Sequence, residues 1–231
     1  MKKSIFRLFL ATSVVLLSVP PLLYALETKE VTTIQEKLKA EEKAASQATR
    51  PKEESQAKSA DQLVRFEIDN AHSSVSFRVR HLVSIVRGQF TRFSGELLLD
   101  QNNLARSSVH ATIDAASINT NHEKRDEHLR SGDFFDAATY PSITFESKQI
   151  AGEHLTGNLT MHGVKKEVTL IFISHGFTPD ASGKKRAGFS VTTSLNRKDF
   201  GISWNKVLDQ GGTMVGDEVP VEIEIEAVAK A

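Results

Sequence analysis

The chain has no cysteine among its 231 residues, and this absence excludes disulfide bonds, thiol catalysis and thiolate metal sites. It has no excess of charge of either sign, because 29 basic side chains balance 29 acidic ones. A neutral balance gives no reason to expect a nucleic-acid surface. The hydrophobic fraction of 39% and the charged fraction of 25% are typical of a globular protein.

Catalytic and cofactor motifs are also missing. The eight histidines form no H-x-H or H-E-x-x-H pattern, and no G-x-S-x-G elbow, phosphate loop or dinucleotide fingerprint appears. His122 and His128 lie on one predicted helix, but their spacing puts them about 240° apart around its axis. We therefore expect no catalysis, no metal and no cofactor, with a catalytic histidine brought in from distant sequence as the alternative.

The N-terminus has the pattern of a bacterial export signal over residues 1–26. Lys2 and Lys3 begin it, and the apolar run LFLATSVVLLSVPPLLYAL follows. We predict cleavage after Ala25, although Leu23 fits the small-x-small rule poorly. An uncleaved signal-anchor is the alternative, but Pro20 and Pro21 interrupt the run and disfavour a full membrane-spanning helix. In both cases we expect the rest of the chain to be exported to the periplasm.

Residues 27–62 are rich in Glu, Lys, Ala, Gln and Ser, and contain no aromatic residue. Such a segment buries too little apolar surface to offset the entropy lost on ordering. We predict a disordered polar spacer, with a short coiled coil built on Val31, Ile34 and Leu38 as the alternative.

From residue 63 to 231, apolar and polar residues alternate with the period of a β-strand. The last run is the clearest, because Val221, Ile223 and Ile225 alternate with Glu222 and Glu224. Turn signals separate the runs at Gly88, 100–103, Gly152, Gly163, 179–183 and 211–212. The pattern predicts an all-β domain of about eight antiparallel strands, closed into an up-and-down barrel. A β-sandwich is the alternative, which the length of several runs disfavours.

The stretch RDEHLRSGDFFDAATYPSITF begins as a charged helix and ends as a strand. We expect a residue between 119 and 121 to cap the helix, Asp126 and Arg130 to form an intrahelical ion pair, and Gly132 to end it. Phe134 and Phe135 then anchor its end. With almost no apolar face, this helix cannot fill a core, so we predict a plug over one mouth of the barrel.

The segment SINTNHEKRDEHLRSGDFFDAATYPSITFES resembles the signature region of the YceI-like family of exported bacterial proteins. The stretches IDNAHSSVSFRVRHL, GQFTRFSGEL, GNLTMHGVKKEVTL and RKDFGISW support the resemblance in order and spacing. It implies a lipocalin-like barrel with an elongated apolar cavity that binds a polyisoprenoid lipid, such as an isoprenoid quinone or a polyprenyl phosphate. The long spacer departs from the usual short linkage, and leaves open a membrane association through an uncleaved N-terminus.

On that basis we predict which residues contact the lipid. The predicted tail contacts, for which plain core packing is the alternative, are Phe77, Val79, His81, Phe90, Ile113, Phe134, Phe145, Phe189 and Trp204. For His81 the choice is between a hydrogen bond to the ligand's polar head and a hydrogen bond to backbone near its strand end.

The predicted head-group residues are Arg125 and His128, since a guanidinium binds phosphate through paired hydrogen bonds. The structural alternative has Arg125 tie the helix to the loop at 196–199 while Asp126 fixes the helix.

The predicted function is a periplasmic binding or carrier protein for this lipid, with a homodimer as a further expectation. Two alternatives stay open: an enzyme acting on an isoprenoid lipid, and a structural or stress-response module with a filled core.

Overall fold

The computed structural model describes residues 63–209 and 211–230. The predicted export signal over 1–26, its cleavage after Ala25 and the predicted spacer over 27–62 lie outside the described residues. Within the described part, no helix combines the length and apolar character needed to span a bilayer.

The described residues form eleven strands, one α-helix and three 3-10 turns. The strands are β1 (Leu63–Ile68), β2 (Ser74–His81), β3 (Ser84–Phe90), β4 (Phe93–Asp100), β5 (Ser108–Asp114), β6 (Ile118–Asn119), β7 (Ser142–Ala151), β8 (His154–Met161), β9 (Val164–Pro179), β10 (Lys185–Asn196) and β11 (Glu218–Ala229). The helix α1 spans Glu123–Arg130, and the 3-10 turns span Leu104–Arg106, Ala115–Ser117 and Arg197–Phe200.

The eleven strands form a closed barrel of eight strands. The numbers differ because three of the barrel strands are interrupted, and each of these consists of two segments. β1 and β2 both pair with β11, so they are two parts of one strand. β4 pairs with β1 and β3 pairs with β2, so β3 and β4 are two parts of the next barrel strand. In the same way β5 pairs with β4 and β6 pairs with β3, so β5 and β6 are two parts of the strand after it. The β1–β11 pairing closes the ring. The predicted antiparallel barrel is confirmed, and the β-sandwich alternative is wrong.

Each strand turns one face to the barrel interior and the other to water. On β11, Val221, Ile223 and Ile225 line the interior, whereas Glu222 and Glu224 are exposed. A slip of one residue in register would exchange these two sets, so burial of the apolar face specifies the register.

Two clusters of buried side chains occupy the two ends of the barrel interior. The helix-side cluster lies beside α1 and includes Phe90, Phe93, Ile118, Phe134 and Phe200. The distal cluster lies at the opposite end and includes Phe66, Leu97, Leu99, Leu155 and Phe189.

Gly88 lies within β3 and not at a turn, so that part of the turn prediction is wrong. The turn is instead at Leu82 and Val83, between β2 and β3. A Cβ atom on Gly88 would overlap the ring of Phe77 and the methyl group of Thr120. The glycine is present because a neighbouring aromatic ring packs directly against the backbone.

The helix is where predicted, but its polar contacts differ from those expected. His122 caps it and accepts from the Arg125 backbone N–H, one residue after the predicted range for the cap, and the helix ends before Ser131. Asp126 and Arg130 do not pair with each other. Asp126 is buried and accepts from the backbone N–H of Thr120 at 2.9 Å, and Arg130 donates to backbone carbonyls at 2.8 and 2.9 Å. Both side chains tie the helix to residues 116–120, which precede it.

Arg186 connects four parts of the chain at the seam of the barrel. From β10, its guanidinium donates to Asp69 at 2.8 Å, to Asp180 at 3.0 Å, and to Glu226 of β11. Hydrogen bonds from Arg186 and then from His72 lower the pKa of Asp69 to about 2, from an ordinary value of 3.8. Hydrogen bonds from Ser182 and then from Arg186 lower the pKa of Asp180 to about 2.

Asp69, His72 and Glu226 are close enough for one ion to touch all three. The two carboxylates of this group already bind the Arg186 cation, so we assign the cluster a role in stability.

We predict that this cluster makes stability sensitive to acid. Carboxylates with lowered pKa values stabilise the fold above their ordinary pKa of 3.8, and this contribution is lost as the pH falls towards 2. Arg186→Gln should lower the urea midpoint at neutral pH and weaken its dependence on pH between these values. Arg65→Gln, which removes an exposed pair with Glu96, is the control and should change the midpoint little. An unchanged acid dependence in Arg186→Gln would contradict the assignment.

Candidate functional site

The barrel encloses a cavity of about 460 Å³ whose wall is almost entirely apolar. It extends from the helix-side cluster, where Phe90, Phe134 and Trp204 line it, to the distal cluster, where Phe172 and Phe189 line it. This volume lies within the usual range of ligand-binding pockets. The interior is therefore hollow, which a module with a filled core would not be.

Every residue that we predicted to contact the lipid lies on the wall of this one cavity. These residues are Phe77, Val79, His81, Phe90, Ile113, Phe134, Phe145, Phe189 and Trp204, and the two predicted head-group residues Arg125 and His128 join them. Their role in binding a lipid stays a prediction.

Three rings meet on the helix side of the cavity. The ring centroids of His128, Phe134 and Trp204 lie 4.9 to 5.1 Å from one another. The His128 side chain is 42% exposed and also lines the cavity, so it lies between the interior and the outer surface. His128 Nε2 lies 2.8 Å from Asp133 Oδ2, which fixes the ring. Aromatic groups at these separations attract one another and give the mouth a defined shape.

Helix α1 forms part of this mouth through one side only. Arg125, His128 and Leu129 line the cavity, whereas Glu123 and Glu127 are exposed to water. A helix with this task needs only a narrow inward face, which explains why its sequence is so polar.

The Arg125 side chain is bound to the turn that precedes its own helix. Its Nε donates to the Thr120 hydroxyl at 2.7 Å, and its Nη2 donates to the Thr120 carbonyl at 2.9 Å. The Thr120 hydroxyl in turn donates to Asp126 at 2.5 Å. The predicted tie from Arg125 to the loop at 196–199 is therefore wrong, but the structural role of Asp126 is correct. The Nη1 group of Arg125 has no hydrogen-bond partner among the residues that the structure describes.

His81 lies on the cavity wall at the end of β2. Its backbone carbonyl accepts from the Ser84 hydroxyl at 3.0 Å. The imidazole nitrogens have no hydrogen-bond partner within residues 63–209 and 211–230. The alternative of a ring satisfied by backbone is therefore not what these residues show, and the head-group contact stays a prediction.

Arg197 is a central residue of the mouth that the sequence analysis missed. It is only 5% exposed, yet it donates to the carbonyls of Ile202, Trp204 and Gly216 at 2.8 to 2.9 Å and to the Asp217 carboxylate at 2.9 Å. A hydrogen bond from Lys198, assisted by the Arg197 charge, lowers the pKa of Asp217. One buried cation thus fixes the backbone that carries Trp204. In the sequence, only the position of Arg197 in the stretch RKDFGISW could have indicated this role, because local sequence does not distinguish a buried arginine from an exposed one.

Comparison with known proteins identifies the fold family. The model of the YceI-like domain matches residues 66–227. The chain belongs to the YceI-like family. A UPF0312 protein of Staphylococcus aureus strain N315 is 38% identical over 166 residues, which cover 71% of this chain and 97% of that protein. The recognition made from sequence is confirmed.

Solved structures of similar proteins share this YceI-like barrel. The Campylobacter jejuni YCEI protein is 33% identical, with a TM-score of 0.57 over 66% of this chain and 90% of that one. Burkholderia cenocepacia BcnA is 27% identical, with a TM-score of 0.59 over 69% of this chain and 98% of that one. A polyisoprenoid-binding domain from Saccharophagus degradans, implicated in plant cell wall breakdown, has a TM-score of 0.57 over 73% of this chain and all of that one. At 17% identity, this last similarity shows the fold alone.

We predict that a charge on the wall of this YceI-like cavity destabilises the fold. The Phe145 ring packs against Gly157 on the neighbouring strand. Phe145→Asp would remove this contact and place an unpaired carboxylate in apolar surroundings, at a cost of about 3 kcal/mol or more in the free energy of unfolding.

Glu224→Gln is the control, because Glu224 is exposed on the outer face and its replacement should change the free energy by less than about 0.5 kcal/mol. Urea unfolding compares the two variants. Equal losses would mean that the inward and outward faces are wrongly assigned.

Proposed function

We propose that this protein is an exported, periplasmic binding protein that carries a long-chain polyisoprenoid lipid, such as an isoprenoid quinone or a polyprenyl phosphate. It holds and shields the lipid without transforming it. The single observation that carries the proposal is the apolar cavity, which extends from one cluster to the other and has Arg125 and His128 on its helix side. The shared fold of the Saccharophagus degradans polyisoprenoid-binding domain supports the class of ligand.

The distribution of polar groups along the cavity favours a lipid with one polar end. Thr120, Arg125 and His128 line the helix side, whereas the distal cluster contributes aliphatic and aromatic side chains. An extended hydrocarbon tail fits the distal part. A head group beside α1 meets the imidazole of His128 and the Nη1 donors of Arg125. These donors suit both a quinone carbonyl and a phosphate.

The tail supplies most of the binding free energy in this proposal. Burial of a methylene group contributes about 0.8 kcal/mol, so a tail of roughly forty carbons has a gross contribution of about 30 kcal/mol. Non-covalent affinities saturate near about 20 kcal/mol, so ordering of the flexible tail must offset a large part of this term. We therefore expect weak selectivity for the head group and stronger selectivity for tail length, because the cavity has a fixed length.

A bulky residue on the cavity wall tests the proposal. Val191 and Thr192 are adjacent on β10, where Val191 lines the cavity and Thr192 is exposed on the outer face. Val191→Trp should reduce uptake of a long polyisoprenoid by roughly tenfold or more, because it removes space that the tail needs. Thr192→Trp adds the same ring outside and should bind as the unmodified protein does.

Native mass spectrometry of protein purified without detergent measures the bound species before and after the lipid is offered. Circular dichroism of both variants checks that the barrel is intact. If the protein carries no bound apolar species and takes up none when the lipid is offered, the proposal is contradicted. Mass spectrometry of the lipid after incubation tests catalysis, since a product that accumulates with time and requires the protein would identify an enzyme.

A further inference from the structure

Two neighbouring hairpin ends present large apolar side chains to water. The first is the β2–β3 turn, where Val83 is 97% exposed and Leu82 is 44% exposed. The second lies within residues 206–209 and 211–214, where Val207 is 75% exposed. Ile85 extends the same apolar surface along β3. We name these two ends, residues 82–85 and the described residues 206–209 and 211–214, the mouth tips.

Backbone contacts hold the mouth tips side by side. The Leu82 N–H donates to the Met214 carbonyl at 2.9 Å, and the Gly216 N–H donates to the Arg80 carbonyl at 2.9 Å. An antiparallel bridge joins His81 to Val215. The two tips therefore form one surface.

The mouth tips are continuous with the wall of the lipid cavity. The residues that join the tips to this wall are Val79 and His81 of β2, Val86 of β3, Met214 of the second tip, and Val215 directly after it. An apolar path therefore leads from the exposed tips into the barrel. Exposed valines elsewhere on a surface are ordinary, but a group of them at the entrance of an apolar cavity indicates a contact surface.

Positive charge surrounds the mouth tips. Arg80, Arg87 and Lys206 are exposed and form no ion pair with any of the residues described by the structure, whereas Arg78 pairs with Glu222 at 2.6 Å. Asp209 is the single acidic residue between 204 and 216. An apolar end flanked by unpaired cations is the arrangement that binds anionic membrane surfaces.

The turn residues of the first tip are poorly suited to folding stability alone. Leu82 has a φ of 53°, in the left-handed region that glycine and asparagine normally occupy in two-residue hairpin turns. Leucine at this position is strained and leaves its side chain in water. A contact between Leu82 and a partner outside this chain accounts for both the backbone strain and the exposed apolar side chain.

We propose that the mouth tips insert into an anionic bilayer and seat the cavity entrance on the membrane surface, so that the lipid moves between bilayer and cavity without crossing water. This inference rests on the proposed function, because it describes how the carried lipid enters. Ile171 and Ile173 on β9 provide a contrast. They are 40% and 52% exposed, but through β10 they lie in register with Glu222 and Glu224, which an anionic bilayer would repel.

Single-cysteine labelling locates the docking surface, and the absence of native cysteine makes each label unique. Val83→Cys, Val207→Cys and the control Ile173→Cys are labelled in the full chain with a polarity-sensitive dye. They are then mixed with vesicles of phosphatidylcholine and phosphatidylglycerol in equal parts that carry a nitroxide on the lipid chains. The dye at positions 83 and 207 should shift to the blue and be quenched, while the dye at 173 should stay in water.

Each label reports its own position, so an apolar N-terminus that also binds the vesicle does not imitate this pattern. Quenching should weaken with added salt and with vesicles of phosphatidylcholine alone, by roughly fivefold for each cation that loses its anionic partner. Equal quenching at all three positions, or none at 83 and 207, overturns the proposal. A blue shift that needs no vesicles and grows with protein concentration also overturns it, because it identifies a second copy as the occupant.

Lipid transfer separates this inference from the proposed function. The double variant Val83→Asp with Val207→Asp should take up a polyisoprenoid from vesicles at least about tenfold more slowly than the unmodified protein, because two apolar anchors are lost. Its uptake from detergent should be unchanged. Ile171→Asp with Ile173→Asp is the matched control and should be normal in both assays. An unmodified protein that takes no lipid from either source refutes the proposed function. Normal and equal rates in all three proteins refute membrane docking alone.

Discussion

The structure depends on one constraint, which is that the eight strands and the segments at the helix end of the barrel must together bury the apolar face of every strand. Within residues 63–209 and 211–230, no helix fills the interior of this barrel, and α1 reaches only its mouth. The inward side chains pack into a cluster at each end and leave a cavity between them. Both the shape of the cavity and its apolar character follow from closing the sheet at this strand number.

The interruption between β5 and β6 provides the backbone that holds the helix at the mouth. Where β5 gives way to β6, the 3-10 turn at Ala115–Ser117 provides the carbonyl of Ala116, and β6 provides that of Ile118. Arg130 binds both carbonyls, so the helix is held by backbone that a regular ladder would have consumed. Arg197 does the same for the segment that carries Trp204. Arginine suits this task because it satisfies several carbonyls at once without an apolar core beneath it.

Alternation predicted the barrel and its inward residues because the two-residue period is a local property of each strand. Val221 and Glu222 are assigned to opposite faces by their neighbours alone. The contacts of residues at the mouth depend on tertiary partners and not on local spacing. Asp126 and Arg130 have the spacing of an ion pair, but each has a tertiary partner instead, and nothing local distinguishes the two outcomes. Gly88 shows the same limit, because its packing against Phe77 connects two strands while a turn signal is read from one.

A hollow interior has a cost in stability that connects the two proposals. Side chains such as Ile223 and Val191, which face empty space, lack the dispersion contacts that a filled core would supply, so the empty barrel is the less stable form. A bound tail restores these contacts, and binding to the folded state alone raises stability in proportion to the logarithm of ligand concentration over its dissociation constant. Such a tail has almost no concentration in water, so only a membrane supplies it in quantity. A protein that carries such a tail, as we propose, needs a surface that meets the bilayer, and the mouth tips are the surface that we assign to this contact.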